Sequence, residues 1–158
     1  MSKIGIILAI LLLLATIQST VFFLGILKAK FVEWIVFNAC APSNISFLIG
    51  FILFLLLKNR TVLHMAILPM FFFGTLGLIV FPWNGMNIIP QIGHIIMTLN
   101  IGWVVLATFK TNDYKTAAIG LLLGIVVFSI FIGFQQNYVT THPEDFKRIM
   151  NIEKTVTF

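Results

Sequence analysis

A cysteine and a histidine, placed in two different apolar segments, are the residues of this chain best suited to do chemistry. Cys40 is the single thiol among 158 residues, and His94 lies several residues inside another apolar run. A thiol reacts as its thiolate, and an imidazole is the usual base that removes its proton. If the two segments touch, the residues form a Cys–His pair; their positions in the sequence alone do not show whether they touch.

The residues around Cys40 are polar, and a proline interrupts them. Pro42 has no N–H and clashes with the preceding turn, which frees a backbone carbonyl near residue 38. The sequence therefore predicts a kink or local unwinding between Asn38 and Pro42, with Asn38 or Ser43 hydrogen-bonded to the backbone. Two interpretations stay open. Asn38, Ser43 and Asn44 either satisfy the broken backbone or bind part of a substrate beside the thiol.

The segment that holds His94 also carries polar residues at helical spacing. Gln91 and Thr98 stand three residues before and four after His94, so one helical face presents all three. We treat Gln91 and Thr98 as further candidates for substrate binding. A histidine at this depth is suited to be a base, a metal ligand or a hydrogen-bonded core residue. We expect His64 and His142 at the membrane edges, in contact with solvent.

These residues suggest a division of roles in a thiol-dependent reaction. Cys40 would be the nucleophile and His94 the general base, with Glu33 or an asparagine orienting the imidazole. Ser43 or Asn44 would donate a hydrogen bond to the developing oxyanion. No Cys/His cluster has the spacing of a zinc site, and we expect neither a metal nor another cofactor.

The elements that hold these residues are expected to be membrane helices. Hydrophobic residues make up 59% of the chain and charged residues 9%, whereas a soluble domain carries about a quarter of its residues charged. The apolar runs reach about twenty residues and do not alternate with polar ones, which favours helices over a barrel. We predict an all-α polytopic membrane bundle with about five transmembrane helices and no soluble domain. The predicted spans are 4–27, 34–57, 62–81, 88–109 and 116–134.

Charged residues fall between the apolar runs and at the end of the chain. We expect the bundle over residues 1–135 and a polar C-terminal tail over 136–158. Lys and Arg divide equally between the two faces, so the uncharged loop 82–87 is used to place the N-terminus inside. The net charge is +5, and because the Lys and Arg residues lie next to the apolar runs, we expect anionic headgroups of membrane lipids, rather than nucleic acid, as their partners. A homo-oligomer or a partner in a membrane complex also stays open.

Small residues at helical spacing predict close contacts between helices. Gly74 and Gly77 are expected to let the third span approach a neighbour. Gly120 and Gly124 match the small-xxx-small pattern, which inside a bundle is expected to pack within the chain.

Four short stretches together resemble a known membrane family. They are Asn-Ala-Cys-Ala-Pro at 38–42, Phe-Phe-Gly-Thr-Leu-Gly at 72–77, Ile-Gly-His at 92–94, and Asn-Tyr followed by His-Pro within 137–143. Over residues 34–143 the chain resembles the YwaF-like integral membrane proteins, a bacterial family with relatives among eukaryotic membrane acyltransferases. Two features differ, since the family usually has a histidine where this chain has Asn38 and also has additional helices.

In those relatives a membrane cysteine and histidine pass an acyl chain between lipids. The resemblance therefore implies a lipid acyltransferase of the bacterial cytoplasmic membrane, with Cys40 and His94 as its catalytic residues. From the residues alone, three functions stay open. The chain could be a lipid-directed acyl transferase or hydrolase, a module that binds or transports a small solute or lipid, or a non-catalytic subunit of a membrane complex, since no carboxylate or lysine inside a span offers an ion pathway.

Overall fold

The fold is described by a computed structural model that covers residues 2–80, 82–83 and 88–150. Phe81, residues 84–87 of the predicted loop and residues 151–158 of the predicted tail lie outside this range. The α-helices are α1 (Ser2–Thr20), α2 (Phe31–Phe37), α3 (Cys40–Leu57), α4 (Arg60–Met70), α5 (Leu76–Val80), α6 (Ile88–Thr111), α7 (Tyr114–Thr141) and α8 (Pro143–Met150). Two π-helical segments, whose turns are wider, extend this set: Val21–Ile26 continues α1, and Phe71–Thr75 joins α4 to α5.

Within the described residues, five helical segments are long and apolar enough to cross a membrane. This confirms the predicted all-α membrane bundle, and the described part of the chain contains no strand. The chain is a multi-pass integral membrane protein. The five spans are Lys3–Ile26, Cys40–Leu57, Arg60–Val80, Ile88–Thr111 and Tyr114–Thr141.

The second span begins at Cys40, so the predicted start at residue 34 is wrong. The helix breaks between α2 and α3, where Asn38 has φ −116° and ψ 49°. Pro42 has no N–H for the Asn38 carbonyl, which accepts instead from the Ala41 N–H at 2.9 Å. Ser43 Oγ donates to the Ala39 carbonyl at 2.7 Å. The predicted break and its backbone hydrogen bond are therefore confirmed, and the short helix α2 precedes the span.

Helix α4 packs against α3 and against α7, and α1 packs against α3 and α6. Glycines allow the close approach of α7. A Cβ at Gly120 would lie 2.6 Å from the Thr61 carbonyl oxygen, and one at Gly124 would lie 2.8 Å from the Met65 carbonyl oxygen. The predicted packing of this glycine pair within the chain is thus confirmed.

Adding a methyl group at Gly120 is expected to destabilise the bundle. The new Cβ would meet backbone and must push α7 away from α4, so Gly120→Ala should lower the free energy of unfolding by about 1–3 kcal/mol. Gly133→Ala is the matched control on the same helix, because a Cβ there meets nothing within 4 Å. Thermal unfolding of both variants in detergent checks this. Equal midpoints would contradict the close contact between α4 and α7.

Beyond the last span, α8 lies against α2. Arg148 Nη2 is 2.7 Å from Glu33 Oε1, and the rings of Phe37 and Phe146 are 5.4 Å apart. The Glu33 side chain is only 1% exposed, and its Oε2 accepts from the Lys30 backbone N–H at 2.7 Å. Part of the predicted polar tail is therefore a helix held to the face of the membrane where α3 and α6 begin.

Candidate functional site

Cys40 and His94 lie in contact, although 54 residues separate them in the sequence. Cys40 Sγ is 3.3 Å from His94 Nε2. Cys40 is the first residue of α3 and is half-buried, whereas His94 on α6 is 4% exposed. The hypothesis of a Cys–His pair required this proximity, and the structure provides it. The chemical role of the pair stays a prediction.

Gln91 holds the imidazole in one orientation. Its Oε1 is 3.0 Å from His94 Nδ1, and its Nε2 donates to the Gly77 carbonyl at 3.5 Å. Because an amide oxygen only accepts hydrogen bonds, Nδ1 carries the hydrogen and the unprotonated Nε2 faces the thiol. Gln91 is fully buried. It therefore acts as a positioning residue for His94, a role that the sequence predicts for Glu33 or an asparagine.

The third span approaches α6 closely at this point. A Cβ at Gly77 would lie 2.6 Å from His94 Cε1, and a Cβ at Gly74 would lie 2.6 Å from Met97 Cε. The predicted close packing at these two glycines is confirmed. The His94 ring thus rests directly against helix backbone, which limits its movement.

A backbone carbonyl of the third span forms the other side of the site. The Phe73 carbonyl oxygen lies 3.3 Å from Cys40 Sγ, the same distance as His94 Nε2, so the single thiol hydrogen has two acceptors within reach. Phe73 lies in the π-helical segment Phe71–Thr75, at whose end the Leu76 N–H donates to the Phe71 carbonyl. Such wide turns recur at functional sites because they redirect backbone groups. Sequence reasoning missed this carbonyl, and the only local signal was Pro69 shortly before the turn.

The predicted binding residues next to Cys40 make structural hydrogen bonds. Asn38 Nδ2 donates to Ser19 Oγ at 2.9 Å, which ties the helix break to α1. Ser43 Oγ is engaged with the backbone as described above. These contacts favour the interpretation in which Asn38 and Ser43 stabilise the break, and their role in substrate binding stays a prediction.

Thr98 and Asn44 differ in what their side chains offer. Thr98 Oγ1 donates to the His94 carbonyl at 2.9 Å and lies 3.1 Å from Thr75 Oγ1. Asn44 is 5% exposed, and its Oδ1 has no hydrogen-bond partner among the described residues. Asn44 stands one helical turn after Cys40. Among the predicted binding residues, Asn44 therefore has an unused hydrogen-bond acceptor, on the helix that begins at the thiol.

Two expectations about neighbouring residues are wrong. Glu33 pairs with Arg148 and makes no contact with His94 in the described structure. His64 is 3% exposed, because its Nε2 lies 2.7 Å from Thr108 Oγ1 between α4 and α6. His142 is exposed, as expected. Within residues 2–80, 82–83 and 88–150, no three His, Cys, Asp or Glu side chains gather as metal ligands would.

Comparison with known proteins adds no relative. No protein-family model, no curated protein and no solved structure matches the chain. The class of protein is therefore defined by its own fold and site. It is a multi-pass membrane helical bundle in which a half-buried thiol meets an oriented imidazole near the ends of two spans.

Proposed function

We propose that the protein is a lipid-directed acyl transferase or hydrolase that uses Cys40 as nucleophile and His94 as general base. The observation that carries this proposal is the 3.3 Å separation of Cys40 Sγ and His94 Nε2, with Nδ1 held by Gln91. A nucleophile, a base and a group that orients the base are the parts that covalent acyl transfer requires. The resemblance to the YwaF-like proteins supports the same two residues.

The first step would acylate the thiol. As Cys40 Sγ attacks the carbonyl carbon of a lipid ester or thioester, its proton passes to His94 Nε2. The new C–S bond forms, the bond from the acyl carbon to the leaving oxygen or sulfur breaks, and the imidazolium returns its proton to the leaving group. Asn44 lies close enough along α3 to contact a substrate group at Cys40. Its amide Nδ2 would donate to the oxyanion if the side chain turns toward it.

The second step would release the acyl group. A hydroxyl, an amine or water attacks the Cys40 thioester while His94 Nε2 takes its proton. The C–S bond then breaks, and the proton returns to the sulfur. An acceptor other than water makes the protein a transferase, and water makes it a hydrolase.

The position of the site favours a lipid substrate. Cys40 begins α3 and His94 lies six residues into α6, and both helices start from the same face of the bundle. At 1.5 Å per residue, His94 lies about 9 Å inside its span. Groups at this depth sit near the boundary between headgroups and acyl chains. An ester of a membrane lipid would therefore meet the thiol without leaving the bilayer.

The proposal is tested by looking for the covalent intermediate. The purified protein, in nanodiscs, is mixed with a phospholipid carrying an alkyne-tagged acyl chain or with a long-chain acyl thioester. Intact mass spectrometry should show one added acyl group that hydroxylamine removes, as it removes thioesters. Transport that survives Cys40→Ser, without any adduct, would support a binding or transport module instead. A stable co-purifying membrane partner, without adduct or transport, would support a non-catalytic subunit.

A further inference from the structure

A second polar cluster lies near the opposite face of the bundle and is not used by the proposed reaction. A cavity of about 140 Å³ lies between α3, α4 and α6. Its polar wall is formed by Arg60, His64 and Thr108, and its apolar wall includes Phe54, Leu63 and Trp103. At about 30 Å³ per water, this volume holds a group of a few heavy atoms. A phosphate group is of that size.

His64 and Thr108 form the buried floor of the cavity. His64 Nδ1 is 2.8 Å from the Arg60 carbonyl, and Nε2 is 2.7 Å from Thr108 Oγ1. Since a carbonyl only accepts, Nδ1 carries a hydrogen and the ring is fixed between α4 and α6. His64 and Thr108 are 3% and 8% exposed. The floor of the cavity is therefore a rigid polar surface within a membrane span.

Arg60 lies at the mouth of the cavity with donors to spare. Its Nη1 donates to Thr111 Oγ1 and is 4.0 Å from Asp113 Oδ2, and its side chain is 33% exposed. A guanidinium has five N–H donors in a planar fork that matches the oxygens of a phosphate. The ion pair with Asp113 is long and involves Nη1, so the N–H groups on Nε and Nη2 are left to bind a ligand.

The surrounding face carries a strong excess of positive charge. Basic residues stand at the ends of every span on this face, and among the described residues Asp113 is the single acidic one there. Clustered Lys and Arg beside membrane helices attract anionic lipids, and basic pockets between helices bind their headgroups. The basic residues of this face are Lys3, Lys58, Arg60, Lys110 and Lys115.

We propose that this cavity binds the phosphate of an anionic membrane lipid, independently of the function proposed for Cys40. Arg60 binds the phosphate oxygens through its fork, above the floor formed by His64 and Thr108. The acyl chains lie along the apolar wall of Phe54 and its neighbours. The apolar wall and the position inside the spans favour a lipid phosphate over a free one.

The test measures lipid binding to the purified full-length protein in neutral detergent by native mass spectrometry. Phosphatidylglycerol should bind more tightly than zwitterionic phosphatidylcholine. Arg60→Gln should weaken phosphatidylglycerol binding about tenfold, because a charged hydrogen bond is lost. Lys147→Gln is the matched control, since Lys147 is an exposed basic residue on α8 at the other face. It should bind like the wild type.

A second variant keeps the proposal testable if Arg60→Gln does not fold. Ala107→Leu narrows the cavity, which Ala107 also lines, without removing a charge, and should weaken phosphatidylglycerol several-fold. Inorganic phosphate is added as a competitor. If it displaces the lipid at equal concentration, the assignment to a lipid is overturned in favour of free phosphate. Equal binding of the two lipids, or wild-type binding by both variants, overturns the site itself.

Discussion

Replacing Cys40 by alanine is expected to abolish acyl transfer. The variant lacks the atom that forms the thioester, so neither the covalent adduct nor its onward transfer can occur. Loss of a nucleophile from a catalytic group that acts as a unit costs about 10⁴-fold or more in turnover. The measurement is the release of tagged acyl chains from phospholipid in nanodiscs, together with intact mass of the protein.

The controls for this variant separate chemistry from folding. Cys40 Sγ contacts the Phe73 carbonyl and His94, so its removal should cost about 1–3 kcal/mol of stability. Helical content should therefore stay close to the wild type, and the thermal midpoint should fall by several degrees at most. Cys40→Ser preserves the size of the side chain but replaces the thiol with a poorer nucleophile, and it should also be inactive. Transfer by Cys40→Ala within tenfold of the wild-type rate would exclude Cys40 as the nucleophile.

Replacing His94 by glutamine is expected to slow formation of the thioester by about 10²–10⁴-fold, the usual contribution of a positioned general base. Glutamine retains a polar side chain near Gln91 but cannot take the thiol proton. A time course of intact mass with the tagged donor measures the rate. His142→Gln is the matched control, because His142 is an exposed histidine beyond the last span. A wild-type rate in His94→Gln would mean that the two residues are merely neighbours.

The glycine beneath the imidazole offers a second way to test the same step. Gly77→Ala would place a Cβ 2.6 Å from His94 Cε1 and displace the ring, whereas a Cβ at Gly93 meets nothing within 4 Å. Gly77→Ala should therefore slow acylation, and Gly93→Ala should not. Equal rates in the two variants would argue that the position of the ring does not matter.

The helices and the helix break were predictable because they depend on local properties. A run of about twenty apolar residues specifies a membrane helix whatever it packs against. The break before Cys40 follows from Pro42, which lacks the N–H that the Asn38 carbonyl would need. The start of the second span was placed too early because residues 34–37 are as apolar as the span itself. Only the non-helical backbone at Asn38 separates residues 34–37 from the second span.

The partners of the site residues could not be predicted because they depend on packing between distant segments. Gln91 was recognised as polar and close to His94, but its role follows from the Gly77 carbonyl on another span. The Phe73 carbonyl faces the thiol only because the third span widens there. Similarly, the sequence suggests Glu33 as a partner of His94, because it does not reveal that α8 places Arg148 beside Glu33.

The burial of His64 was missed for the same reason. A histidine near the end of a span is usually solvated at the interface, and local sequence predicts that position. Thr108 on α6 supplies the partner that lets the ring be buried. The role of a polar residue inside a membrane bundle is therefore clear only when its partner on the neighbouring helix is known.

Activation of Cys40 by His94 is measured by the rate at which Cys40 reacts with iodoacetamide near neutral pH. Cys40 is the only cysteine of the chain, so the signal reports one site. We predict rapid alkylation in the wild type and in His142→Gln, and alkylation at least about tenfold slower in folded His94→Gln. Equal rates in the wild type and His94→Gln would show that His94 does not activate Cys40, because the thiol would then react without the imidazole.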